Sequence, residues 1–159
     1  MLFLTLLLTL TSIFATPAAK SSPVPTSPAR YWALRLTPGQ DPRVELERFA
    51  VREGLRAGFI ASCVGSVSCA SVRFANQPDP TVREGHFEIV SLSGTLARDG
   101  MHLHASFSDS TGTTFGGHLM DGSRVHSIME VVIGELDRLA FMREPDPTFG
   151  YRELVVRKR

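Results

Sequence analysis

Three histidines carry the most chemistry in this sequence. His102 and His104 stand two residues apart in Met101-His102-Leu103-His104, and His118 follows in Gly116-Gly117-His118-Leu119. On a β-strand, side chains two apart share a face, so this pair stands about 6–7 Å apart at Cα with both imidazoles on one side. An antiparallel meander places His118 beside them, because sequential strands usually neighbour each other. Three neutral imidazoles with an open fourth position suit zinc or another divalent transition metal. Gly116 and Gly117 let a backbone approach without Cβ clashes. The alternative reading is three half-exposed strand histidines, hydrogen-bonded to their neighbours.

The other titratable candidates are more scattered. Glu130 interrupts an apolar stretch; buried, it needs a partner, which Arg73 or a histidine supplies, and otherwise it reaches the surface. Asp109 and Asp121 lie in turn sequences, where Asp is common for local reasons. His86 and His126 read as ordinary surface or turn histidines. Cys63 and Cys69 have no metal-ligand spacing. In one straight strand they lie about 20 Å apart, beyond disulfide reach, and only a chain reversal at Gly65-Ser66 would bring them together. Two small buried thiols is the plainer reading, although Gly65 to Ser68 itself reads as a turn. The sequence contains no phosphate loop with a lysine, no GxSxG elbow and no CxxC.

These residues need a sheet to position them. Tyr31 to Leu36 reads as a first strand. Asp41-Pro42 opens a helix, Asp as N-cap and Pro at the first helical position, with Leu46, Phe49, Ala50 and Ala57 on one face and Gly58 as the stop. Strands follow over Phe59–Val64 and Val67–Ala75, and over His86–Leu96 with Phe87, Ile89, Ser91 and Ser93 sharing a face. Asp99-Gly100 signals a hairpin. Further strands are Met101–Ser108, Phe115–Met120 and the β-branched Ser127–Gly134, with Ala140–Arg143 and Tyr151–Val156 closing the sheet.

The chain has 159 residues, room for one domain and one core. A formal charge of +1 leaves no basic stripe of the kind that holds nucleic acid by its phosphates, apart from Arg157-Lys158-Arg159. Residues 1–19 form an uncharged apolar leader ending in small residues, which reads as a secretory signal and places the mature protein in the secretory pathway, with a cytoplasmic location as the alternative. Its run of about 14 apolar-rich residues is too short for a stable membrane span, which needs about 20. Residues 20–28 are Ser/Pro-rich and read as a linker, and 29–159 as the domain.

Gly65-Ser66-Val67-Ser68 with Val72-Arg73, Gly85 to Gly94, Gly100 to His104, Gly116 to Leu119 and Glu130-Val131-Val132 occur in the order found in the plants-and-prokaryotes-conserved (PPC) domain, and residues 31–156 resemble that family. The resemblance implies an α/β fold, a largely antiparallel β-sheet with a flanking helix, assembled as a homotrimer. It also implies that His102, His104 and His118 line clefts between subunits as metal or small-ligand residues. Plant members contact DNA through an Arg-Gly-Arg-Pro AT-hook, and this sequence has none; in the segment matching their partner-recruiting motif, His86 stands where an arginine is expected. The leading expectation is a stand-alone trimeric PPC-domain protein binding a metal or small ligand. The alternatives are a DNA-associated, transcription-related protein, and a metal-dependent enzyme using Glu130 or Asp109 as base.

Overall fold

The computed structural model describes residues 24–148 and 150–159; the apolar leader lies outside them. The order is β1 (Ala29–Leu36), α1 (Pro42–Arg52), β2 (Gly58–Arg73), β3 (Thr81–Ala97), β4 (Gly100–Ser108), β5 (Thr114–Leu119), β6 (Arg124–Leu136), β7 (Leu139–Pro145) and β8 (Arg152–Lys158). Six strands form an antiparallel sheet in the order β1-β6-β2-β3-β4-β5, with β5 also paired to β2. That extra pairing closes β2, β3, β4 and β5 into a ring. Its interior is filled by Val67, Val72, Leu92, Leu103, Phe107 and Leu119, among others.

The helix starts as its sequence dictates. The Asp41 carboxylate accepts from the amides of Arg43 (3.0 Å) and Val44 (3.4 Å), and Pro42 follows at the first helical position. It ends earlier than Gly58, because Gly54 takes φ 64° and terminates it after Arg52. Leu46, Phe49 and Ala50 face the core, while Ala57 belongs to the buried approach to β2.

The turn expected at Gly65 does not exist. β2 runs unbroken through it for 16 residues. A Cβ at Gly65 would lie 2.3 Å from the Ile128 carbonyl oxygen, so this glycine admits the close approach of β6 to a bulged strand. Cys63 and Cys69 therefore stay apart along one strand, both as free thiols. Burial pushes the Cys63 thiol up to about 12.

Three further expectations shift. A register irregularity between Ile89 and Ser91 turns Leu92 inward beside Phe87 and Ile89, so Ser91 and Ser93 do not continue their face. The β3–β4 hairpin forms, with Arg98-Asp99 at its tip and Gly100 already paired to Ala97. β7 and β8 do not join the main sheet but form a separate two-stranded one, tied to it by the Phe141 amide donating to the Arg56 carbonyl at 2.7 Å.

Glu135 anchors the chain ends. It is 2% exposed and accepts from Arg30 (2.9 Å), from the Arg56 amide (2.9 Å) and from Arg159. Burial alone would raise its pKa, but the Arg56 amide, Arg159 and Arg30 outweigh burial and hold it below the ordinary carboxylate range. A lowered folded-state pKa contributes stability above the unfolded value and loses it as pH falls through the folded one. Glu135→Gln should therefore cost about 1–3 kcal/mol at neutral pH, and chemical denaturation should show the difference from wild type shrinking as the pH drops below 4.5.

Candidate metal centre

The ring closure builds the histidine cluster. Along β4, Leu103, Ala105 and Phe107 point inward, so His102 and His104 point out together. β5 pairs with β4 so that His104 stands directly opposite His118. On its other edge β5 pairs with the end of β2, setting His118 opposite Arg73. Gly117 makes this seam possible: a Cβ there would lie 2.4 Å from the Arg73 carbonyl oxygen, and one at Gly116 would lie 2.4 Å from that of Ala105. The two glycines thus admit neighbouring strands close to the histidines.

The three rings converge. His102 Nε2 lies 3.2 Å from His104 Nε2, and His104 Nε2 lies 3.1 Å from His118 Nδ1. All three ligand atoms fall within 4.8 Å of one another. Two nitrogens bound to one zinc at 2.0–2.1 Å in a tetrahedron stand about 3.3–3.4 Å apart, so two edges of this triangle already match a ligand set. A ring nitrogen carries one lone pair or one N–H, so without an ion His104 Nε2 can form only one well-directed hydrogen bond of these two contacts. Burial, then the His104 and Arg143 charges, lowers the His102 pKa, and burial followed by Arg73 lowers that of His118. Both effects favour the neutral, ligating form.

The other candidates separate into one that joins the site and two that do not. Arg73 lines the cleft over the histidines. Glu130 is exposed on β6, opposite Arg35 and Val64, and takes the surface reading. Asp109 holds the β4–β5 turn, accepting from the amides of Thr111 (2.8 Å) and Thr113 (3.0 Å), at the opposite end of β4 from His102. Neither carboxylate can serve as a base at the cluster. Asp121 is a turn residue paired to Arg43. His86 and His126 are exposed and stacked, with centroids 4.1 Å apart. The sequence reading missed Arg143, Arg152 and Glu153, which also line the cleft. No local pattern marks them, because only the separate β7–β8 hairpin carries them there.

Fold and site together define a small antiparallel-sheet domain, partly closed on itself, with a three-imidazole cluster on its outer face. Residues 25–137 match the model of the Plants and Prokaryotes Conserved (PCC) domain, and the chain belongs to that family, the PPC family of the sequence reading. The bifunctional protein GlmU of Synechococcus sp. (strain JA-3-3Ab) is 44% identical over 141 residues, 89% of this chain and 23% of that protein. The chain thus spans about a quarter of the length of this curated relative. A Salmonella hypothetical protein of solved structure is 44% identical, with a TM-score of 0.83, over 85% of this chain and 98% of that one. A metal-containing protein from Archaeoglobus fulgidus is 26% identical, with a TM-score of 0.70, over 84% and 99% of the two chains. A Bacteroides thetaiotaomicron protein, named as a candidate DNA-binding protein, is 18% identical over 82% and 98% at a TM-score of 0.68, and shares the fold alone.

If the Gly117 seam positions His118, then Gly117→Ala should pry β5 from β2. We expect a loss of about 1–3 kcal/mol in stability, the usual range for overpacking. Zinc affinity, measured by competition with a chelating dye, should fall although every histidine remains.

Proposed function

We propose that this protein is a metal-binding PPC domain that holds a divalent transition metal, zinc being the best fit, through His102 Nε2, His104 Nε2 and His118 Nδ1. The observation that carries this reading is the pair of 3.1 and 3.2 Å nitrogen separations, close to those of a tetrahedral ligand set. The metal-containing Archaeoglobus relative supports it. Three protein ligands leave one coordination position open, so a bound metal would supply a Lewis-acid or ligand-binding centre. The chain's own residues then fix the imidazole geometry and the charge around it.

His104→Ala or His118→Ala should weaken zinc binding by more than the roughly 10–100-fold that follows disturbance of an outer-shell partner, while His86→Ala leaves it unchanged. Isothermal titration of zinc into metal-free protein reads this directly, and wild type that takes up no zinc overturns the proposal. Because both shifted histidines titrate below 6.5, zinc retention should hold at that pH and be lost as the pH falls further. Retention that fails already above 6.5 contradicts this.

Assembly as a homotrimer belongs to the same proposal. The main sheet carries one helix, and Val64, Val82 and Val90 on β2 and β3 leave apolar side chains exposed. Cyclic symmetry covers such a surface in a closed contact. Light scattering should give three times the subunit mass, and a stable monomer defeats this part. Secretion rests on the leader alone; a mature amino terminus near Ala19 supports it, and intact Met1 on abundant cytosolic protein opposes it. Among the described residues no helix is long and apolar enough to cross a membrane.

A further inference from the structure

The β7–β8 hairpin contributes no histidine, yet it walls the cleft above them. This open cleft of about 640 Å³ is bounded on one side by Arg73 and on the other by Arg143, Tyr151, Arg152 and Glu153. That volume suits a small molecule rather than a macromolecule. The hairpin lies outside residues 25–137, the stretch that matches the family model.

The hairpin's arginines are held in place from behind. Arg143 donates from Nη2 to Thr95 Oγ1 at 2.7 Å, and its amide donates to Asp99 Oδ2 at 3.1 Å. Arg152 donates from Nε to the Arg143 carbonyl at 3.0 Å. These bonds fix both stems, while Arg143 Nη1 and Arg152 Nη1 have no partner among the described residues. Arg73 is similarly fixed by donating to the Gln77 carbonyl at 3.2 Å. Three arginines in the cleft face two carboxylates, Asp99 and Glu153, and the neutral histidines leave the balance positive. A guanidinium fork suits carboxylate and phosphate oxygens in particular.

We propose that the β7–β8 hairpin completes an oxyanion-binding cleft, in which Arg143 and Arg152 on one wall and Arg73 on the other hold a small carboxylate- or phosphate-bearing molecule against the histidine cluster. This rests on the metal reading only for what the ligand meets at the histidines; the arginine walls stand without a metal. The hairpin is then the part of the chain that selects the ligand.

The test uses full-length protein, both metal-free and zinc-loaded. Malonate and inorganic phosphate are titrated into each by calorimetry, which separates a carboxylate ligand from a phosphate one. At least one probe should bind wild type. Arg152→Gln and Arg143→Gln should each weaken that binding at least about tenfold, roughly one charge-assisted hydrogen bond, with zinc stoichiometry unchanged. Arg73→Gln, on the opposite wall, should act in the same direction without touching the hairpin, which guards against a hairpin that has merely come loose. The proposal falls if neither probe binds at millimolar concentration in either state, or if all three variants bind as wild type does. Wild type that binds a probe through these arginines but takes up no zinc leaves this proposal standing and ends the metal reading. Normal zinc uptake with arginine-independent probe binding does the reverse.

Discussion

The whole arrangement hangs on β2 and on how its edge is shared. From Gly58 to Cys69 one edge is paired to β6, and at Val72 and Arg73 the same edge is paired to β5. The opposite edge carries β3, at Gly58 and Phe59 and again from Ser66 to Val72. A strand that serves three partners has to bend and twist, and β2 does so through irregularities near Ser62, Ser66 and Ser68. At Gly65, facing β6, and at Gly117, facing β2, the neighbouring backbone comes too close for a side chain. Without this hand-over from β6 to β5, β5 would be a free edge and His118 would have no fixed place beside His104.

Closure of the ring also sorts the chemistry by face. Leucines, valines and Phe107 fill the interior, so period-two alternation forces the histidines and Arg73 outward onto one patch. That patch is the surface over which the β7–β8 hairpin folds back, bringing Arg143 to Thr95. The buried Glu135 ties the far end of the same hairpin, at Arg159, to Arg30 on β1 and to the Arg56 amide ahead of β2. One carboxylate thus links the first strand, the approach to the central strand and the chain's last residue. The cluster on the outer face and the anchor at the chain ends depend on the same few strand pairings.

Much of this was legible in the residues, and the failures have a common cause. The N-cap at Asp41, the hairpin after β3, the turn held by Asp109 and the shared face of His102 and His104 follow from local rules, and the structure contains each. The family resemblance supplied the antiparallel sheet and its flanking helix. Gly65 was misread as a turn because a glycine needed for close strand approach has the same local signature as one needed for reversal. Leu92 was placed on the wrong face because a bulge at Val90 cannot be seen in an alternation pattern. For Glu130 the apolar neighbours leave burial and exposure both open, and the alternation decides it: Met129 and Val131 face the core while Glu130 faces out. Arg143 and Arg152 escaped notice because only the path of a separate hairpin, a long-range property, brings them to the histidines.

We propose one metal centre formed by His102, His104 and His118. Its most direct test is anomalous diffraction at the zinc edge from crystals grown with zinc. A single strong peak should stand about 2.0–2.1 Å from His102 Nε2, His104 Nε2 and His118 Nδ1. A peak elsewhere with none at the cluster, or three rings turned away from a common point, would contradict it.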